Sequence, residues 1–387
     1  MIVGVPVELF PNEQRVALVP AVVPALSKAG IKIVVERGAG AKAGFPDSEY
    51  EEQGASIAAD KNALFSEAQV IITLHGFDDT AGLTSFRPGQ IILGLLDPLG
   101  TPEPFAQLAA KGVTAFALEL LPRISRAQSM DALSSMATIA GYKAVLLAAD
   151  SLRKMFPMMI TAAGTVTPAR VFVIGAGVAG LQAIATARRL GAVVQSYDVR
   201  PAVKEQVESL GAQFVELGLD TKQAEGAGGY AKAMDEDFYR KQREMMTKVL
   251  AESDVAITTA AVPGKKAPVL ITKEMVRAMR EGSVIVDLAA ETGGNCELTK
   301  PGETVEAHGV RILGPVNLPS TIPYHASHMY SRNISAFLQL LVKNGELNLD
   351  FEDPIIREAL VVHNKEVVNS RVRELLGLAT ATSQPMA

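Results

Sequence analysis

Three glycines at fixed spacing are the clearest chemical signal in the sequence. The segment Gly175-Ala-Gly-Val-Ala-Gly180 follows the apolar stretch ARVFVI and precedes a helix-like stretch, which makes it a G-x-G-x-x-G motif. The first glycine allows a tight turn, the second lets a diphosphate approach the backbone, and the third lets a helix pack on a strand. Unpaired N–H groups at the start of that helix favour bound anions. The motif alone is also compatible with an ordinary tight turn.

An acidic residue supports the dinucleotide interpretation. Asp198 ends the next strand-like stretch, AVVQSYD, where a carboxylate can accept hydrogen bonds from the adenosine ribose. A carboxylate there disfavours the 2′-phosphate of NADP, so the sequence predicts NAD. Arg200 leaves alternatives open, because its side chain could pair with a phosphate, stack on adenine or bind Asp198.

A second polar cluster lies between a strand and a long helix. In the segment RISRAQSMD, Arg123 offers a forked donor, Gln128 an amide that could pair with a carboxamide, and Asp131 a carboxylate that could orient either. Two interpretations are open on these residues alone. Asp131 and Ser129 could cap the helix that follows, or the segment could be a functional loop.

The remaining polar candidates favour structural roles. His325 and His328 lie three residues apart on an expected helix, but no carboxylate or thiol has a matching spacing, so we expect no metal site. His75 and Cys296 belong to no recognisable set of nucleophile, base and acid. The stretch EGAGGYA, 225–231, is expected to be a surface loop, or a lid that closes on a bound nucleotide.

Two series of alternating elements must position these residues. Short apolar runs alternate with helix-like stretches at 2–7, 31–36, 69–74, 90–96 and 113–118, and a second series starts at Arg170. Such alternation predicts an α/β fold with mostly parallel sheets. Long helices are expected at 134–155 and from His325, and the chain beyond that helix is expected to be helical and then frayed.

The sequence therefore predicts two Rossmann-like domains joined by long helices, with a cleft between them. The first domain is expected to comprise 1–133 and 324–387, and the second, which binds the dinucleotide, is expected to be an insertion at 134–323.

Composition and charge limit the classes of function. The 387 residues are 48% hydrophobic and 20% charged, which excludes a disordered chain, and a net charge of -5 does not indicate a nucleic-acid surface. With one cysteine, no intrachain disulfide can form, and a cytoplasmic protein is expected. No signal peptide is evident, and polar residues interrupt each apolar run before the ~20 residues that span a bilayer, so no membrane span is expected.

Several longer stretches resemble one known family. The stretches are LELLPRISRAQSMDALSS, MMITAAGTVTPARVFVIGAGVAGLQAIATARRLGAVV, AGGYAKAM, ITTAAVPGKKAPVLIT and VIVDLAAETGGNCEL. They resemble the NAD(H)-binding component, domain I, of proton-translocating nicotinamide nucleotide transhydrogenase. The resemblance extends from near the N-terminus to about Pro323 and weakens beyond it. RISRAQSMD is far more specific than the glycine motif, and it favours the functional loop over a plain helix cap.

The resemblance implies roles for individual residues. Arg123, Gln128 and Asp131 would hold the nicotinamide end of the nucleotide, Ser134 would contact the nicotinamide or its ribose, and Tyr230 would be the aromatic residue of a mobile loop. The implied catalytic residues are Arg123, Gln128, Asp131 and Tyr230. The implied cofactor-binding residues are Arg123, Gln128, Asp131, Ser134, Gly175, Ala176, Gly177, Val178, Gly180, Asp198, Val199, Arg200 and Gly229.

The same resemblance implies a reaction shared between chains. Hydride would pass directly between NAD(H) on this chain and NADP(H) on a partner, coupled to proton translocation across the membrane. Since one dinucleotide motif is visible, the implied partners are a membrane-spanning subunit α2 and a subunit β that carries the NADP(H) domain. This chain would be subunit α1, a homodimer at the cytoplasmic face of the inner membrane, with no nucleic acid bound.

Alanine dehydrogenase is the alternative family, because it shares the two-domain plan, the pattern around Arg15 and the glycine motif. As implied by that resemblance, it carries a substrate-binding lysine in the region of QVIITLHGF and a catalytic histidine in the region of ILGLLDPLG. This chain has no lysine in the first stretch, and Asp97 replaces the histidine. Oxidative deamination would then lack its acid–base group. A non-catalytic NADH sensor is a third hypothesis.

Overall fold

The fold is known from a computed structural model, which describes residues 1–76, 83–216, 236–261, 264–343 and 345–379. The chain divides into two compact units. The first unit comprises Met1–Met136 and Pro319–Ala387, and the second comprises Ala137–Leu318.

The described elements alternate along most of the chain. The helices are α1 (Val23–Lys28), α2 (Asp47–Glu52), α3 (Lys61–Glu67), α4 (Glu103–Lys111), α5 (Ala132–Ser151), α6 (Val178–Arg189), α7 (Lys204–Ser209), α8 (Glu236–Glu252), α9 (Lys273–Ala278), α10 (Pro323–Leu340), α11 (Pro354–Ala359) and α12 (Ser370–Leu375). The strands are β1 (Ile2–Val5), β2 (Lys32–Glu36), β3 (Ser56–Ala58), β4 (Val70–Thr73), β5 (Ile91–Gly94), β6 (Thr114–Ala117), β7 (Met159–Thr161), β8 (Gly164–Val166), β9 (Arg170–Ile174), β10 (Val193–Tyr197), β11 (Gln213–Phe214), β12 (Val255–Thr258), β13 (Val284–Asp287), β14 (Thr304–Ala307), β15 (Val310–Leu313), β16 (Val342–Lys343), β17 (Glu346–Leu347), β18 (Leu360–His363) and β19 (Glu366–Val367).

The first unit is built on an eight-stranded sheet in the order β19-β18-β6-β5-β4-β1-β2-β3. Strands β1 to β6 are parallel to one another. All residues of β4 and β5 are buried, which explains why these strands are continuous apolar runs in the sequence. Leu64, Phe105 and Leu108 from the flanking helices complete the core on one side of the sheet.

The second unit is built on a seven-stranded sheet in the order β11-β10-β9-β12-β13-β15-β14. All neighbours are parallel except β14 and β15. Strand order changes direction between β9 and β12, and ligands of open α/β sheets bind at the carboxyl ends of the strands at such a point. The predicted α/β fold with two Rossmann-like domains is confirmed.

The prediction for the C-terminal stretch is wrong in part. It was expected to be helical, but β18 pairs antiparallel with β6, and β18 and β19 form a hairpin. Leu360, Val361 and Val362 are fully buried, and β-branched residues pack better in a sheet than on a short helix. Asn364 and Lys365 both adopt positive φ, as a two-residue hairpin turn requires.

Helix α5 is long and uniformly apolar. It is the one helix in the described part of the chain whose length and composition would suffice to cross a membrane, a test that core helices also pass. Its residues Ala144, Val145 and Ala148 are fully buried in the core of the second unit. The helix is therefore a core element of that unit.

Candidate dinucleotide site

The glycine motif forms the turn between β9 and α6 in the second unit. Gly175 has φ +97, a conformation that side chains disfavour, and a Cβ there would lie 2.5 Å from Thr259 Oγ1. At Gly180 a Cβ would lie 1.8 Å from the carbonyl oxygen of Gly175, so the first turn of α6 packs directly on the loop. The turn therefore excludes side chains at both positions.

Gly177 differs from its neighbours because its surroundings are open. It is the N-cap of α6 in extended conformation, and a Cβ built on it meets nothing within 4 Å. Ala176 is buried, whereas Val178, the first residue of the helix, is 43% exposed. The first N–H groups of a helix have no intrahelical acceptor, so an anion can approach them here.

Asp198 binds the glycine loop directly. Its Oδ2 accepts a hydrogen bond from the backbone N–H of Ala176 at 2.8 Å, although the carboxylate is only 8% exposed. Val199 packs partly buried against the core cluster that includes Tyr197. The structure thus brings the glycine motif and Asp198 into contact, as expected of residues that share one site.

Arg200 occupies the same carboxylate. Its Nη2 donates to Asp198 Oδ2 at 2.7 Å, while its backbone N–H and Nε both donate to Oδ1 at 2.9 Å. Of the alternatives for Arg200, the structure therefore contains the pairing with Asp198. Together with Ala176, this gives four hydrogen bonds, which fill the acceptor positions of the carboxylate.

The carboxyl end of β12 forms the other side of the crevice, and no sequence motif pointed to its residues. Thr259 Oγ1 donates to the Gly175 carbonyl at 3.1 Å. Asn295, fully buried, donates to Ala260 O and accepts from Ala260 N. The signal that could have identified them is topological, because in a parallel sheet the strand beside β9 ends at the same edge.

The polar loop of the first unit combines a cap with exposed side chains. Asp131 accepts hydrogen bonds from Ser134 N at 2.9 Å and Ser134 Oγ at 2.6 Å, which caps the start of α5. Arg123 and Gln128 are exposed. Both interpretations of this segment are thus compatible with the geometry: Asp131 is a cap, and the loop presents polar groups to solvent. Tyr230 and Gly229 lie outside the described residues.

The histidines in question pack against other side chains. His328 lies against Phe45 and Tyr324, and burial, followed by the charges of Arg332 and His325, lowers its pKa. His75 stacks on Phe10, and its Nε2 lies 2.5 Å from Glu13 Oε2. No group of three or more His, Cys, Asp or Glu residues within the described ranges is placed to hold a metal ion.

Cys296 lies in a buried hydrogen-bond network. Burial raises the pKa of its thiol to about 11, so the thiol stays protonated at neutral pH. Its backbone N–H and the Thr299 hydroxyl donate to one oxygen of the fully buried Asp287, and Thr258 Oγ1 and Ala289 N donate to the other. This network fixes the loops after β12 and β13.

The fold and this site together define a class: α/β proteins of two units, one of which carries a dinucleotide-type glycine turn at its topological switch point. Two family profiles cover most of the chain, "Alanine dehydrogenase/PNT, N-terminal domain" at residues 4–140 and "Alanine dehydrogenase/PNT, C-terminal domain" at residues 144–370. The chain belongs to the alanine dehydrogenase/PNT family.

Individual relatives fall on both sides of that family name. The chain is 46% identical over 376 residues to the first of the separate parts of NAD(P) transhydrogenase subunit alpha from Rhodospirillum rubrum, covering 95% of this chain and 98% of the relative. It is 31% identical over 386 residues to alanine dehydrogenase of Bacillus subtilis, covering 97% and 95%. A crystal structure of transhydrogenase from Sinorhizobium meliloti superposes with a TM-score of 0.83 at 41% identity, covering 95% and 99%. The predicted family is confirmed.

Proposed function

We propose that this chain is the NAD(H)-binding subunit α1 of a proton-translocating, Si/Re-specific NAD(P)+ transhydrogenase. It would bind NAD(H) in the second unit, and hydride would pass directly to NADP(H) on a partner subunit. The observation that carries this proposal is the match over nearly the whole chain at 46% identity to a transhydrogenase subunit, against 31% for an alanine dehydrogenase.

The glycine turn is proposed to bind the diphosphate of the nucleotide. The open surface at Gly177 and the N–H groups at the start of α6 fit a diphosphate, whereas a side chain at 177 would stand in its way. Asp198 would accept the hydroxyls of the adenosine ribose. Since its acceptor positions are filled, the guanidinium of Arg200 must release at least one of them when the ribose binds.

The loop of the first unit is proposed to hold the nicotinamide end. Arg123 and Gln128 would contact the carboxamide and its ribose, Asp131 and Ser134 would fix the loop, and Tyr230 and Gly229 would belong to a segment that covers the nucleotide. Bound NADH supplies the hydride from C4 of its nicotinamide ring. No side chain needs to transfer a proton in that step, so these residues have to orient the ring and exclude water.

The partners are proposed to be a membrane-spanning subunit α2 and a subunit β with the NADP(H) domain. The name of the R. rubrum relative, which describes only one portion of subunit alpha, supports a reaction divided among chains. We place the chain at the cytoplasmic face of the inner membrane, where proton translocation would be coupled to the reaction.

A second copy of the chain is proposed as a further partner. The antiparallel hairpin of β7 and β8 carries large apolar side chains in the open, among them Ile160 at 80% and Met158 at 59% exposure. Exposed apolar residues on a short, isolated hairpin favour a protein interface. A homodimer would cover them.

Alanine dehydrogenase activity is less well supported by the side chains in the first unit. His75 stands in the stretch where that family would have its lysine, and Glu13 engages its imidazole. Asp97, in place of the histidine, accepts hydrogen bonds from Gly100 N and Thr101 Oγ1. Neither arrangement offers a free imidazole to relay a proton.

Reconstitution tests the proposal. The chain is mixed with membranes that contain a competent subunit α2 and subunit β, and reduction of NADP+ by NADH is followed. We expect turnover only when all subunits are present. Absence of transfer would contradict the proposal. Alanine- or pyruvate-dependent turnover by the isolated chain would favour the dehydrogenase, and tight NADH binding without any transfer would favour a sensor.

A further inference from the structure

The short helical segment Ser125–Met130 is held in place by residues more than 200 positions away in the sequence. Arg126 Nη1 donates to Asp353 Oδ2 at 2.8 Å, and Nη2 donates to the other carboxylate oxygen. Such a two-point pair fixes direction as well as distance. Asp353 also accepts from Ile355 N at 2.9 Å, so the same carboxylate caps α11.

A second attachment comes from α10. The side chain of Asn333 donates through Nδ2 to the carbonyl oxygen of Ser129 at 2.9 Å, in a position that is 7% exposed. Its Oδ1 is buried and has no hydrogen-bond partner among the described residues. A buried amide with an unsatisfied oxygen is unfavourable, so an apolar residue would suit the helix better. The contact with Ser129 gives a reason for asparagine at this position.

Gln128 lies between these two attachments. Its neighbour Ala127 and the nearby Met130 are buried, whereas Gln128 itself is exposed. The backbone is thus fixed on both sides while the amide of Gln128 extends to solvent. This arrangement suits a side chain that must meet a ligand in one geometry, since a misplacement of about 1 Å can lower a transfer rate ~100-fold.

We propose that Arg126, Asn333 and Asp353 are positioning residues, which hold the Ser125–Met130 segment so that Gln128 orients the nicotinamide ring. The C-terminal part of the first unit would thereby contribute to hydride transfer without touching the nucleotide. This inference rests on the proposed transhydrogenase function.

Three variants separate positioning from simple stability. Arg126→Ala removes the pair, Arg126→Lys keeps its charge but loses the two-point geometry, and Asp353→Asn removes the charge while retaining a side chain that can cap α11. Arg311→Ala is the matched control, because it removes an Arg–Glu pair of 2.8 Å to Glu306 at the edge of the second unit's sheet. For each variant we would measure the melting temperature, the NADH dissociation constant and the hydride-transfer rate in the reconstituted complex.

We expect Arg126→Ala to slow transfer about 10-fold or more with little change in the NADH dissociation constant, because ring placement and not anchoring is disturbed. Arg126→Lys and Asp353→Asn should give intermediate rates, and Arg311→Ala should match the wild type. Transfer by Arg126→Ala at the wild-type rate, or a loss that merely follows the melting temperature across all four variants, would overturn the inference.

Hydrogen exchange distinguishes failure of this inference from failure of the proposed function, because it needs no partner subunit. Amides of Ser125–Met130 should exchange faster in Arg126→Ala and in Asn333→Ala than in the wild type. Unchanged exchange in both would overturn the anchoring. Faster exchange combined with a wild-type complex that transfers no hydride would overturn the proposed function and, with it, the positioning role.

Discussion

At the scale of single residues, the site combines groups that the sequence reveals with contacts that it does not. Asp198 was identifiable because its distance from the glycine motif is set by one helix and one strand. Its simultaneous contacts with Ala176 and Arg200 were not, because three interpretations of Arg200 were equally compatible with its position in the chain. Asn333 gave no signal at all, since a single asparagine on a helix is usually unremarkable. Only tertiary packing places it beside Ser129.

The first prediction concerns the choice of cofactor. Asp198→Asn should weaken NADH binding about 10- to 100-fold, because hydrogen bonds to a charged group contribute ~1.5–3 kcal/mol. It should weaken NADPH binding less or strengthen it, since the like charge is gone and Arg200 is released. Fluorescence titration with both nucleotides measures this. The exposed Glu205→Gln on α7 is the control, and an unchanged preference for NADH in Asp198→Asn would refute the assigned role.

The second prediction concerns a buried acid in the first unit. Glu119 accepts a hydrogen bond from Asp97 N, but its Oε2 has no partner among the described residues. Burial raises the pKa of this carboxyl to about 8 from 4.5. Between these pH values the unfolded chain loses the proton and the folded chain keeps it, so the free energy of unfolding falls as the pH rises through this window.

Glu119→Gln should remove that fall, because an amide does not ionise. At pH 8 the variant should be more stable than the wild type by an amount on the order of a few kcal/mol, from ~1.4 kcal/mol per pKa unit, with little gain at pH 5. Denaturant unfolding at both pH values measures this. The exposed Glu51→Gln should show no such difference. Parallel pH dependence of wild type and Glu119→Gln would be inconsistent with the burial of an ionisable group here.

At the scale of elements, buried parallel strands were the most predictable feature. Runs such as the VIIT of β4 are apolar throughout because both faces are covered, and this pattern survives in the sequence. The C-terminal strands were missed because β18 is short and pairs with β6, more than 240 residues earlier. Local pattern contains no information about such a partner. The cap at Asp131 shows the same limit, since capping and ligand positioning use the same residue types.

The third prediction uses two glycines of one turn. Gly180→Ala should lower both the melting temperature and NADH affinity, because its Cβ would lie 1.8 Å from the Gly175 carbonyl and must displace α6, at a cost of about 1–3 kcal/mol. Gly177→Ala should leave the melting temperature unchanged, since the position is open, yet weaken NADH binding roughly 10-fold or more. Calorimetry and titration of both variants provide the measurement. Equal effects of the two substitutions on stability would contradict the geometry of the turn.

At the scale of the whole molecule, the family could be predicted because specific stretches such as RISRAQSMD accompany the glycine motif. Comparison with known proteins confirmed the family. The division of the reaction among several chains follows from physical reasoning of another kind: one dinucleotide site holds one nicotinamide ring, and hydride transfer between two nucleotides requires two. The exposed β7–β8 hairpin indicates an interface as well, and its sequence gave no signal because a three-residue strand is too short for a periodic pattern.

The fourth prediction concerns that hairpin. Ile160→Glu should raise the dissociation constant of the homodimer roughly 10-fold or more, because a charge would be placed in an apolar interface, while the 80% exposed position should leave the fold intact. Leu375→Glu, at an exposed position on α12, is the control. Sedimentation velocity over a range of concentrations measures the effect. A wild-type chain that remains monomeric at all concentrations would refute the proposed dimer.

The central claim is that hydride moves directly from a nucleotide on this chain to a nucleotide on another. It is tested most directly with NADH deuterated at C4 and unlabelled NADP+, added to the chain together with its membrane partner. The account predicts that deuterium appears at C4 of NADPH without loss to water, and only when both proteins are present. Deuterium released into the solvent, or label in NADPH without the partner, would contradict it.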